Sequence, residues 1–71
     1  MNQEIKLLDV VALLKALPGQ HLKAGQVGTV VEVYGDDDFE VEFVDKKGQT
    51  IAILPLKGAD LLLLQYEMEK V

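Results

Sequence analysis

Few residues in this chain have the type and spacing for chemistry. The single imidazole is His21, in a loop that opens with Pro18-Gly19. A histidine becomes a general base or a metal ligand when a nucleophile, a carboxylate or a second ligand stands beside it. No Cys, Ser or second His lies at a useful spacing, so His21 reads as a solvated loop residue. Asp36, Asp38 and Glu40 carry the D-x-D-x-E spacing that opens a calcium loop. The template then fails, because Val41 falls where the loop needs Gly and Lys47 where it needs a bidentate Glu. The aspartates read instead as turn formers that make a negative patch able to steer a basic partner. Lys46, Lys47, Lys23 and Lys57 could converge on a phosphate, with Tyr34, Phe39 and Phe43 for stacking. Phe39 and Phe43, however, fall on the expected core face, and Asp36–Asp38 lie close by. Gly25-x-x-Gly28 is no phosphate loop, since no helix bearing Lys-Ser/Thr follows it. The run Leu61-Leu62-Leu63-Leu64, with Tyr66 and Met68 behind it, is the feature most suggestive of binding. It is read either as a last strand buried on both faces or as a strand that presents one face to a partner.

Composition narrows the rest. The chain has 71 residues and a net charge of −5, with no arginine, cysteine or tryptophan. That is one domain, and it excludes disulfides, thiolate nucleophiles and Cys-bearing metal sites. No apolar run approaches the ~20 residues of a membrane-spanning helix, and the N-terminal residues do not read as a secretory signal. The acidic balance disfavours nucleic acid, because phosphate binding needs clustered basic groups. The apolar fraction is 49%, high for a body too small to hide all of it, so a contiguous exposed patch is expected to mark a contact with a partner or another copy.

The elements that must position these residues are short strands. Residues 7–17 fit a helix through Leu7, Val10, Val11 and Leu14, and fit a strand equally well. The strand is chosen because the sequence downstream is β throughout. Pro18-Gly19 starts a polar loop over residues 18–26. Val27 to Tyr34 is rich in β-branched residues, and Gly28 within it signals a bulge or a close backbone approach. Gly35-Asp36-Asp37-Asp38 is a turn. Phe39, Val41 and Phe43 then alternate with Glu40 and Glu42, core against water. Asp45-Lys46-Lys47-Gly48 makes a hairpin connection, and residues 49–54 form a further strand that Pro55 ends or marks as an edge. Residues 56–60 read as a short turn, residues 61–64 as a strand, and residues 65–71 as a polar tail. About five short strands separated by turn signals make an all-β domain over residues 1–71, a small barrel or a sandwich.

Residues 8–13, Leu17-Pro18, Leu22 to Val33 with its Gly-Gln-Val-Gly-Thr-Val-Val-Glu-Val block, and Phe39 to Asp45 resemble the bacterial family called domain of unknown function 4926. The likeness runs over roughly residues 7–64. The Gly25 to Val33 block also resembles the Gly-x-x-Gly-x-Val element of KOW and other SH3-like barrels. Both resemblances imply a strand near residues 9–15 and an SH3-like barrel. The family implies no activity and no catalytic residues, and its gene neighbourhood resembles that of toxin–antitoxin pairs.

The resulting expectation is a cytoplasmic, non-catalytic module without cofactor or metal. It would bind a protein partner, in the manner of an antitoxin, or another copy of itself. Leu61, Leu62, Leu63, Leu64, Asp36, Asp37, Asp38 and Tyr34 are the candidate contact residues. A KOW-like nucleic-acid-binding barrel is the alternative.

Overall fold

A computed structural model describes residues 4–64. It contains five strands: β1 (Val10–Leu13), β2 (Val27–Val33), β3 (Asp38–Val44), β4 (Thr50–Lys57) and β5 (Leu61–Leu64). Two single turns of 3₁₀ helix punctuate them, at Pro18–Gln20 and Gly58–Asp60. All pairings are antiparallel, and the strands form one sheet in the order β4-β3-β2-β1-β5. The all-β expectation holds, and the first element is the strand rather than the helix. Val10 and Val11 are β-branched, and four residues flanked by strands on both sides gain ladder hydrogen bonds that a single helical turn would lack.

The sheet is open, with β4 and β5 at its ends, so the edges that a closed barrel would remove are retained. It is nevertheless strongly curled. Only the three residues Gly58–Asp60 join β4 to β5, and 3₁₀ helix rises about 2 Å per residue. The end of β4 therefore meets the start of β5, although three strands separate them in hydrogen-bonding order. This geometry is consistent with a small barrel-like fold.

The alternation in β3 sets the core. Phe39, Val41 and Phe43 are buried, while Glu40 and Glu42 lie half-buried on the opposite face. Cross-strand register carries the same division outward. Gly28 lies opposite Phe43, Val30 opposite Val41, and Leu54 and Leu56 opposite Val41 and Phe39. Val11, Leu13 and Leu61 extend the core across β1 and β5. Gly28 is not a bulge but a close approach. A Cβ there would sit 2.8 Å from the Phe43 ring and from Val41 Cγ1, so a hydrogen is all the space admits. The bulge comes three residues later. Val30 pairs with Val41 and Glu32 with Glu40, leaving Val31 as the extra residue. This shifts the inward parity of β2 from even to odd positions and turns Glu32 outward.

Two expectations at the margins are corrected. The fourth strand does not stop at Leu54 but runs through Pro55 to Lys57, so of the two readings of Pro55 the edge marker holds. It can do so because β4 is the end strand of the sheet, where proline's missing N–H faces no neighbour. The loop over residues 18–26 is not wholly polar in role either, since Leu22 is only 2% exposed. Leu17 and Leu22 exchange backbone hydrogen bonds of 2.9 and 3.1 Å, closing the 3₁₀ turn into a clip that drops Leu22 into the core. The expected tail, with Tyr66 and Met68, lies outside the described residues.

Candidate functional site

The acidic hairpin between β2 and β3 is built from the backbone up. Tyr34 N–H donates to the Asp38 carbonyl at 2.9 Å and closes the turn. Within the turn each aspartate has a separate place. Asp36 is exposed. Asp37 receives the Gly58 N–H at both its carbonyl, 3.1 Å, and its carboxylate, 3.2 Å. This double acceptance fastens the hairpin to the 3₁₀ turn that precedes β5. A side chain at position 58 would collide with that carboxylate, so Gly58 and Asp37 form a matched pair. Asp38 makes an ion pair with Lys57, directly opposite it in the β3–β4 register. Hydrogen bonding to Asp38, reinforced by its charge, raises the Lys57 pKa above the ordinary lysine value.

The outer face of β3 continues the acidic row. The Tyr34 hydroxyl donates to Glu40 at 3.0 Å, and the Thr50 hydroxyl donates to Glu42 at 2.6 Å. The hydrogen bond to Glu40 raises the Tyr34 pKa, with desolvation and the charges of Glu40 and Glu32 acting in the same direction. Glu32 lies directly opposite Glu40 in the register, a like-charge cross-strand pair. A shallow hollow of about 290 Å³ lies between Asp38, Pro55, Leu56, Lys57 and Asp60. Asp60 also pairs with Lys15 at 3.3 Å.

The leucine run divides between its two faces. Leu61 is fully buried opposite Leu13, and Leu63 packs partly against the core opposite Val11. Leu62 is 47% exposed, and Leu64 is half-buried. Neither sequence reading describes it fully: the run is neither buried on both faces nor presented whole, and Leu62 is its solvent-facing member. The fold brings the aspartate hairpin to the turn just before this strand but does not merge it with Leu62 into one site. His21 caps the first 3₁₀ turn in left-handed geometry, φ 61°, and is exposed. Lys46 and Lys47, in the β3–β4 connection, lie at the opposite end of β3 from Lys57. Among the described residues no group of three or more His, Asp or Glu side chains is arranged to hold a metal ion.

Sequence reading missed several surface residues that the register assembles. Val27, Val44 and Ile53 stand on the outer face, 46%, 42% and 51% exposed. Val44 was legible as an outward position from the β3 alternation. Ile53 was not, because the alternation of β4 left two choices of inward face.

These elements define a class: a small all-β domain made of a single curled antiparallel sheet, with an acidic hairpin pinned to its last turn. The chain belongs to the family described as Domain of unknown function (DUF4926), whose model matches residues 7–63. No curated protein and no solved structure matches the chain. No helix among the described residues is long and apolar enough to cross a membrane.

Proposed function

We propose that this protein is a small non-catalytic interaction module of the cytoplasm that works by binding another polypeptide. A neighbouring gene's product, in the manner of an antitoxin and its toxin, is the first partner to test. One observation carries the reading. Among the described residues, ten large apolar side chains are at least 39% exposed, and the core buries only ten apolar residues. Single exposed aliphatics are ordinary on a protein surface. An exposed set that equals the core in number, in so small a domain, fits a surface meant to be covered.

The carboxylates support the non-catalytic side. Asp37 holds Gly58, Asp38 pairs with Lys57, Glu40 accepts from Tyr34, and Glu42 accepts from Thr50. Each of these four has a structural partner, which supports a structural role for them. The test is co-expression of the tagged chain with the product of the adjacent gene, followed by affinity capture. The reading expects a stoichiometric pair that survives moderate salt. Independent elution of the two, together with a monomeric chain at high concentration, contradicts it.

A further inference from the structure

The outer face of β2, β3 and β4 passes from an apolar end to an acidic one, the two meeting where Ile53 lies opposite Glu42. At one end are Val27, Val44 and Ile53, each more than two-fifths exposed. Gly28 pairs with Phe43, which sets Val27 beside Val44, and Ile53 lies opposite Glu42. At the other end Glu42, Glu40 and Glu32 point to the same side. Glu32 and Glu40 are directly opposed, a placement that costs stability in a sheet. The Glu32 carboxylate has no bonding partner among the described residues, and the only lysine in this stretch of the face, Lys57, is already committed to Asp38. We propose that this face docks a basic segment of a partner protein, with an apolar side chain seated on Val27, Val44 and Ile53 and a Lys or Arg lying between Glu32 and Glu40. The proposal rests on the interaction-module reading and names the partner's chemistry.

Charge selects the occupant. A second copy would bring an identical row of carboxylates against this one, and the net charge of −5 opposes that approach. A phosphate backbone or an anionic lipid surface is repelled for the same reason. A cation between the two glutamates removes the repulsion the fold tolerates, so binding recovers a cost already present in the free protein. Spacing along β3 sets the ligand pattern. Residues two apart on a strand are about 7 Å apart, so Glu42 lies about 7 Å from Val44 and Glu40 about 14 Å. A helix laid along β3 matches this with an apolar residue over Val44 and basic residues about one and two to three turns further on.

The probe is a synthetic helical peptide of about 18 residues, five turns, built only from Leu and Lys with the Leu on one face. It is titrated into the ¹⁵N-labelled full chain. The proposal expects amide shifts clustered at Val27, Thr29, Glu40, Glu42, Val44 and Ile53, and weaker binding as salt rises. The double variant Glu32→Gln/Glu40→Gln should weaken binding about tenfold or more, as loss of facing charge does. Glu4→Gln, which removes an exposed charge outside β2, β3 and β4, should leave affinity unchanged. Shifts centred on residues 35–38, equal weakening by Glu4→Gln, or no binding would each overturn the proposal. If the peptide fails while co-capture of the neighbouring gene's product succeeds, the docking face falls and the module reading stands. If co-capture fails and the chain is a monomer, the module reading falls too.

Discussion

Replacing Gly28 with alanine adds one methyl group at the tightest point in the sheet. Its Cβ would lie 2.8 Å from Cδ1 and Cε1 of Phe43 and from Cγ1 of Val41, and both of those side chains are fully buried. Neither can swing into solvent, so the ring must shift or the β2–β3 ladder must open. Overpacking of this kind costs about 1–3 kcal/mol. Against it, alanine is favoured over glycine in a strand by about 0.5–1 kcal/mol. The net expectation is a loss of about 0–2.5 kcal/mol, centred near 1 kcal/mol. For a domain of this size each kcal/mol shifts Tm by about 4–8 °C, so thermal unfolding followed by circular dichroism resolves it. A double-mutant cycle isolates the cause. In a Phe43→Leu background, where the ring is gone, Gly28→Ala should cost clearly less than in the parent. A raised Tm for the single variant, or an equal cost in both backgrounds, would refute the packing of Phe43 over the Gly28 backbone.

Leu22→Ala removes a buried side chain from the loop clip and should cost about 2–5 kcal/mol, whereas Leu14→Ala, at a position 54% exposed, should be nearly silent; urea denaturation of the pair checks whether the clip belongs to the core. Gly58→Ala forces the Asp37 carboxylate away and should lower Tm, with a smaller drop in an Asp37→Ala background, so strictly additive losses would argue against the matched pair. The Tyr34 hydroxyl should titrate above its ordinary value of 10.0 because Glu40 holds its proton, and Glu40→Gln should bring it back down, as read by absorbance at high pH. The folded form holds this proton more tightly than the unfolded form, so the contribution to stability is complete below the unfolded pKa and is lost as pH rises through the folded one.

The sequence made legible what depends on alternation. Phe39, Val41 and Phe43 declared both the strand and its inward face, because period-two patterning carries both at once. Gly28 declared a bulge or a close approach, and the Phe43 ring against it makes it the close approach. What stayed hidden depends on pairing. The bulge at Val31 leaves no local mark, yet it decides that Glu32 faces Glu40 across the ladder. The division of Leu61–Leu64 into inward and outward members follows from the partners Leu13 to Val10 in β1, not from the run itself. Leu22 lies among polar residues and enters the core only because the 3₁₀ turn reverses the chain. Of the candidate contact residues, Asp37, Asp38 and Tyr34 have structural partners, while Leu62 and Asp36 stand in solvent.

The mass of the native species tests the interaction with a partner most directly. Light scattering on the chain co-expressed with its gene neighbour's product should give a single peak well above the 7.8 kDa of the free chain, with both polypeptides present. A peak of 7.8 kDa alone at every concentration tried, with the neighbour's product eluting elsewhere, would contradict it.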